Sequence, residues 1–285
     1  MKSADKIKIS IAQTNSFLTN IPKNISHHSE FIKKAINEKS DLVVFPELSL
    51  SGYNLQDSSF DIAVSENEEI FKPLKEFSKE ISILIGFPEK GKNGEIYNSS
   101  AFFEDGIMVI SHRKRYLPTY NVFDESRFFT RGNELTAVNS KLGKIGVLIC
   151  EDSWHPGLSY LLAYQKIDIL AIIAASPYRS QLESESLDAM AKWNSICQAY
   201  AATYSLPVIF CNRVGSEDGI LFWGGSSVYK AGGLKIEEAP KFEEMLLTCL
   251  IDKQEMRRDR FASTQFHDED VLWQLDQLKK ITRTN

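Results

Sequence analysis

The chain has 285 residues, 43% hydrophobic and 25% charged with 15 Gly and 9 Pro, proportions that exclude a disordered or collagen-like protein and suffice for a large core. A formal charge of −5, from 38 acidic and 33 basic residues with no charged tail, argues against a general nucleic-acid or anionic-membrane surface. The longest apolar stretch, Ile169 to Ala175, is far shorter than the roughly 20 residues of a bilayer span. The N-terminus leads straight into an alternating strand without a signal-peptide pattern, so a cytoplasmic protein is expected.

In chain order, Ile7-Lys8-Ile9-Ser10-Ile11-Ala12 alternates as a strand with one buried face. A helix follows, with Asn20 as N-cap, Pro22 in its first turn, and Ile25, His28, Ile32, Ala35 and Ile36 at helical spacing. Asp41-Leu42-Val43-Val44-Phe45 is continuously apolar after its first residue, as in a strand buried on both faces. A second helix is predicted from about Glu66 to Glu80, then a strand Ile83-Leu84-Ile85-Gly86-Phe87. Asn98 to Ile110 reads as a hairpin turning at Glu104-Asp105-Gly106. Later strands are Lys144 to Ile149, Asp168 to Ala174, Pro207 to Cys211, Ser226 to Lys230 and Met245 to Ile251. A helix from Ser184 to Tyr204 carries Leu187, Met190, Ala191, Asn194, Cys197, Ala201 and Tyr204 on one stripe. Short Gly-rich links predict a single domain over 1–285, with 253–285 as a C-terminal tail or helix. Helices interleaved with strands imply an α/β layered fold with a mixed sheet, in which ligands collect beyond the carboxyl ends of strands.

Three such ends carry candidate chemistry. Phe45-Pro46-Glu47 stops a strand and follows it with a carboxylate, which by itself reads more readily as a solvated turn. Ile145-Gly146-Val147-Leu148-Ile149 delivers Cys150 into the polar turn Glu151-Asp152-Ser153-Trp154, a way to present a nucleophile, although an isolated Cys is more often core filler. Cys197, Cys211 and Cys249 are read as such filler. Ser111-His112-Arg113-Lys114-Arg115-Tyr116-Leu117-Pro118 is a basic run that would ordinarily be a solvated loop. The four cysteines form no CxxC pair, as expected of reduced thiols, and the five histidines form no HxxxH or HExxH spacing; no metal and no cofactor is expected.

In the order Glu, Lys, Cys these segments resemble the nitrilase superfamily of carbon-nitrogen hydrolases, with its FPE strand end, R-K-x-x-L segment and G-V-x-I-C strand. The resemblance extends from Ile9-Ser10-Ile11-Ala12-Gln13 through Trp193 to Asn212-Arg213-Val214-Gly215 and Gly224-Gly225-Ser226-Ser227. Within the superfamily, Arg113 to Glu125 and Cys150-Glu151-Asp152-Ser153-Trp154 are similar to the glutamine-hydrolysing domains of NAD synthetases, here expected as a free-standing domain. The resemblance implies a four-layer αββα sandwich with mixed sheets and a homo-oligomer. It also implies catalytic roles for Glu47, Lys114 and Cys150, a supporting role for Glu125, and substrate contacts from Tyr53, Tyr120, Phe123 and Ser176. The apolar side of Val271 to Leu278 either docks on a neighbouring subunit or on its own domain; amphipathicity does not choose.

Metal-free amide hydrolysis needs a nucleophile, a base, a proton donor to the leaving amine and oxyanion donors. Cys150 is the expected nucleophile, forming a thioester. Glu47 is the base, and must be partly desolvated to serve a thiol of pKa about 8.5. Lys114 supplies positive charge to the thiolate and oxyanion, together with a backbone N–H near Cys150, and is expected to matter for turnover rather than folding. The expected reaction is hydrolysis of a small amide or carbamoyl compound. A glutaminase subunit serving a separate synthetase is one alternative, and a silent scaffold a remoter one.

After Ser176-Pro177 the glutaminase pattern expects a Gly-basic pair, but the text here is Tyr178-Arg179-Ser180-Gln181-Leu182. Glu151 and Arg179 are then the nearby residues available to pair a charged amino-acid head. Free glutamine is accordingly expected to be a poor substrate, and a small amide with an uncharged acyl group a better one.

Overall fold

The computed structural model describes residues 5–178, 183–263 and 268–284, with side chains of 183–187, 283 and 284 left aside. Arg179 and the side chain of Leu187 therefore lie outside the described residues. Two six-stranded mixed sheets face each other. The first runs, edge to edge, Met245–Asp252, Lys6–Gln13, Leu42–Val44, Ser82–Lys90, Ile96–Glu104, Ile107–Arg113. Its second, third and fourth strands are mutually parallel. The second sheet runs Lys235–Glu238, Ser227–Tyr229, Val208–Asn212, Ile169–Ala174, Gly143–Ile149, Val138–Ser140, with its third to fifth strands parallel.

Strand alternation builds the layers. Ile7, Ile9, Ile11, Leu42, Val44 and Leu84 of the first sheet share one core with Ile145, Val147, Ile149 and Ile173 of the second. The intervening Val43, Ile83, Ile85 and Phe87 point to the opposite face, where they meet Ile25, Phe31, Ile32 and Leu74 from helices Ile21–Asn37 and Lys72–Phe77. Helices Pro156–Tyr164 and Glu183–Thr203 cover the second sheet through Leu162, Met190, Trp193, Cys197 and Ala201. The αββα order expected from sequence is thus the observed one.

Local signals explain most boundaries. Asn20 caps the first helix, its side chain accepting from Lys23 N–H at 3.1 Å. Asp105 (φ 51°) and Gly106 (φ 85°) are both left-handed, the backbone that a two-residue hairpin turn requires. The expected helix from about Glu66 to Glu80 is shorter: a 3₁₀ turn Glu69–Phe71 leads into Lys72–Phe77, begun by Pro73 and closed where Ser78 Oγ bonds back to Lys75 O at 2.8 Å. On Glu183–Thr203 the buried face is Met190, Trp193, Cys197, Tyr200 and Ala201, and Ala191 is exposed, which rotates the expected stripe. A small third sheet, Val214–Glu217, Ile220–Trp223 and Pro177–Tyr178, was too short in its strands to show periodicity.

The tail forms helices Lys253–Ala262 and Val271–Thr284. Leu272, Trp273, Leu275, Leu278 and Ile281 on the last helix are all exposed, so the described residues of the same chain do not cover that face. No described helix is long and apolar enough to cross a membrane.

Candidate active site

Glu47, Cys150 and Ser176 follow parallel strands, and Lys114 follows Ile107–Arg113, which runs in the same direction as the parallel trio of its sheet. The topology therefore brings carboxyl ends of both sheets to one place. Glu47 is fully buried and accepts three hydrogen bonds: Lys114 Nζ at 2.6 Å and Asn98 Nδ2 at 2.8 Å on Oε1, and the Ala175 amide at 2.9 Å on Oε2. The last of these ties the first sheet to the second.

Lys114 also has no exposed surface. Its ammonium lies between Glu47 and Glu125 Oε1, the latter at 2.7 Å, so two of its three protons are committed. Burial alone would lower the ammonium, but Glu125 and Glu47 outweigh it and hold Lys114 well above the usual lysine range. The basic run is therefore no solvated loop. Arg113 Nε donates to Glu89 Oε1 at 3.0 Å, and the amides of Arg115 and Tyr116 donate to Asp152 Oδ1 at 3.0 and 2.9 Å. Asp152, two residues after Cys150, thereby ties the Lys114 segment to the Cys150 turn.

Glu125 accepts from Tyr53 Oη at 2.6 Å as well as from Lys114, and Asn98 Nδ2 is 3.4 Å from its Oε2. Burial, partly countered by Lys114 and reinforced by the charge of Glu47, lifts Glu125 to about 7. Burial and then the charge of Glu125 push the Tyr53 phenol well above its ordinary value, so it serves as a donor. Asn98, which joins the two carboxylates, escaped the sequence reading. Its signal was the polar run Asn98-Ser99-Ser100 inside an otherwise apolar strand.

Cys150 ends the Gly143–Ile149 strand in a left-handed conformation (φ 47°) and opens the 3₁₀ turn Cys150–Trp154. Such a backbone is strained for a residue with a Cβ. Burial, then the charge of Glu47, pushes its thiol well above the ordinary range, so the resting group is a thiol. Positioning of Glu47 depends on Gly86, where an added Cβ would lie 2.3 Å from Leu48 N and 2.6 Å from Pro46 O. On the other side of the turn, His28 stacks on Phe45 at 4.1 Å and bridges Asn24 O and Ser49 Oγ at 2.7 and 2.9 Å. Burial lowers its pKa to about 3, so this histidine is neutral and structural.

A cavity of about 390 Å³ opens at Cys150. Of the sequence-predicted substrate residues, Tyr120, Phe123, Glu151 and Ser176 line it, while Tyr53 and Glu125 line a neighbouring cavity of about 250 Å³. Glu47 and Lys114 line neither and have no exposed surface. Glu151 accepts from Tyr120 Oη at 2.9 Å, and Trp193 Nε1 donates to Ser176 Oγ at 3.0 Å. Trp154, Asp188, Lys192 and Trp193 complete much of the wall, and Asp188 and Lys192 are the charged ones the sequence did not reveal.

The carbon-nitrogen hydrolase family model matches residues 8–261. A glutamine-dependent NAD(+) synthetase of Thermotoga maritima is 32% identical over 258 residues, 89% of this chain but 43% of that protein, so the chain spans less than half of such relatives. A citrullinase of Francisella tularensis is 29% identical over 277 residues, covering 92% of this chain and 94% of its own. Among solved structures, a carbon-nitrogen hydrolase from Helicobacter pylori superposes with a TM-score of 0.84 at 25% identity, over 96% of this chain and 98% of its own.

Proposed function

The chain belongs to the carbon-nitrogen hydrolase family, and from that premise we propose that it cleaves a terminal C–N bond of a small amide or carbamoyl compound through a thioester on Cys150. The observation that carries this reading is the fully buried pair Glu47 and Lys114, 2.6 Å apart, whose charges act on a cysteine that alone of the three meets the cavity. The resemblance to a citrullinase supports the carbamoyl half of the substrate class.

The chemistry follows from what each group has left to offer. A carboxylate has about four lone-pair sites. Three on Glu47 are filled, leaving one for the thiol proton as Sγ attacks the carbonyl carbon. Lys114 keeps one proton uncommitted, to be aimed at the developing oxyanion along with a backbone amide near Cys150. Glu47 returns its proton to the departing nitrogen as the C–N bond breaks. Water, deprotonated by the same carboxylate, then attacks the thioester, the acid leaves, and the thiol is regenerated. Glu125 and Tyr53 hold the lysine in place.

A second reading, a glutaminase supplying ammonia to a synthetase, is favoured by the similarity to NAD synthetases. Ammonia release is to be screened over amides, ureides and nitriles, with brief iodoacetamide treatment and peptide mapping alongside. The thiol reading expects Cys150 to label first and activity to fall in step. Labelling of Cys197, Cys211 or Cys249 with activity retained would sink it. Co-purification with a synthetase, together with glutamine as the preferred substrate, would favour the second reading.

A further inference from the structure

Arg213 takes no part in the chemistry proposed for Cys150, yet it is one of the largest side chains without exposed surface. It follows the Val208–Asn212 strand, and its guanidinium lies 4.2 Å from the centre of the Phe222 ring. Nη1 donates to Glu217 Oε2 at 2.9 Å and Nη2 to Asn15 Oδ1 at 3.2 Å. A buried pair of this kind often gains nothing over apolar residues of equal size, which turns attention to what it orients.

The other oxygen of Glu217 reaches the turn that follows Glu47. Oε1 accepts from the amides of Tyr53, at 2.8 Å, and Asn54. Gly52, at φ 83°, lets that turn come close, for an added Cβ would lie 2.6 Å from Glu217 Oε2. From the backbone so fixed, the Tyr53 hydroxyl donates to Glu125 Oε1 at 2.6 Å, the oxygen that also takes Lys114 Nζ at 2.7 Å. The Tyr53 ring meets Phe222, the ring beneath Arg213, edge-on at 6.0 Å. One run of contacts therefore leads from the small third sheet to the catalytic lysine.

We propose that Glu217, held by Arg213, is a positioning residue: it fixes the Tyr53 backbone and, through the Tyr53 hydroxyl and Glu125, keeps the Lys114 ammonium aimed at the reacting centre beside Cys150. The proposal rests on the Cys150 reading above and gives the third sheet a part in turnover. A carboxylate suits the task because its two oxygens accept from both sides at once, and Arg213 keeps it ionised although buried. Were the pair only a brace for its hairpin, its loss would lower stability and leave the lysine where it is.

The test is a double-mutant cycle read in kcat and in the pH profile of Cys150 alkylation by iodoacetamide. Glu217→Gln should lower kcat by about tenfold or more with KM little changed, since small misplacements of a catalytic group are costly. Tyr53→Phe should do at least as much, and the double variant should lose little more than Tyr53→Phe alone, because both changes act through one hydroxyl. Each should also move the alkylation profile to higher pH, as the cation that favours the thiolate is less well placed. Arg213→Lys should keep more of kcat than Arg213→Met. If Glu217→Gln does not fold, Gly52→Ala, whose Cβ presses on the same carboxylate, takes its place in the cycle. Losses that multiply in the double variant, or a folded variant with wild-type kcat and alkylation profile, overturn the proposal while Cys150-dependent turnover keeps the catalytic reading intact. Ammonia release that survives Cys150→Ala, or none from any compound screened, overturns the catalytic reading and this proposal with it.

Discussion

Lys114 has no exposed surface and is clamped by carboxylates at 2.6 and 2.7 Å, whereas Lys192, on the wall of the cavity that opens at Cys150, is more than half exposed and held by one carboxylate a turn away. The first is built by strand ends from two sheets, the second by one helix face. Groups that stabilise a transition state must already be oriented when charge develops, and burial with several partners achieves that. Groups that meet an incoming substrate must exchange water for it, which exposure permits. On this division, substitutions within the buried ion-pair cluster of Lys114, Glu47 and Glu125 should strike turnover and stability together, and those at the exposed end should move KM.

The largest expected effect is that of Cys150→Ala: a fall in turnover on the order of 10⁴-fold, comparable to losing a member of a catalytic triad, with the melting temperature close to wild type because Ala keeps the Cβ and hence the strain at φ 47°. Substantial residual turnover in a steady-state assay would place the nucleophile elsewhere. Next is Lys114→Met. It should lower turnover by on the order of 10²-fold or more, but the structure corrects the expectation that folding would be spared. Removing a buried cation leaves Glu47 and Glu125 facing each other without a counter-charge, and breaking a buried pair costs about 3–5 kcal/mol. Denaturant unfolding alongside the kinetics separates the two losses.

Glu125 gives the pH test. Its folded pKa of about 7 lies above the ordinary 4.5, so between those values the folded state holds a proton that the unfolded state has released. Stability from this group is complete at low pH and declines as pH rises through that window, by a few kcal/mol in order of magnitude. Glu125→Gln should flatten the unfolding free energy between those pH values relative to wild type; an unchanged slope would contradict the assignment. Smaller again is Gly86→Ala. Its Cβ would press on the Pro46–Leu48 backbone, and overpacking of this kind costs about 1–3 kcal/mol while displacing Glu47. Turnover should drop further than stability alone accounts for.

The same division governs what could be read in advance. Glu47 and Cys150 each follow a strand of contiguous apolar residues and Lys114 lies in a basic run at the end of a third, so motif order, more than periodicity, located them together. Asn98 was missed because its role depends on which strand lies beside Glu47, a long-range pairing that no local pattern encodes. Lys192 was missed for a different reason. The predicted stripe of its helix included Ala191, whereas Trp193 is the side chain that the core takes in, and that rotation decides which residues face the cavity. Strands of two to four residues, such as Pro177–Tyr178, are too short to carry a period at all.

The mildest substitution tests the boundary between the two ends. Tyr120 is about half exposed, its hydroxyl donates to Glu151 at 2.9 Å, and its ring packs edge-on against Phe123 at 5.4 Å. Burial and the charge of Glu151 raise its phenol above the ordinary range, so it remains a donor throughout the working pH. Tyr120→Phe keeps the ring and removes only that bond, and at an exposed site water can take its place. The loss should be about 1 kcal/mol or less, roughly fivefold in KM, with kcat and the melting temperature close to wild type. A collapse of kcat instead would mean that Glu151 works with the buried cluster during the chemical step, and the line between orienting and capturing groups would have to be drawn on the far side of it.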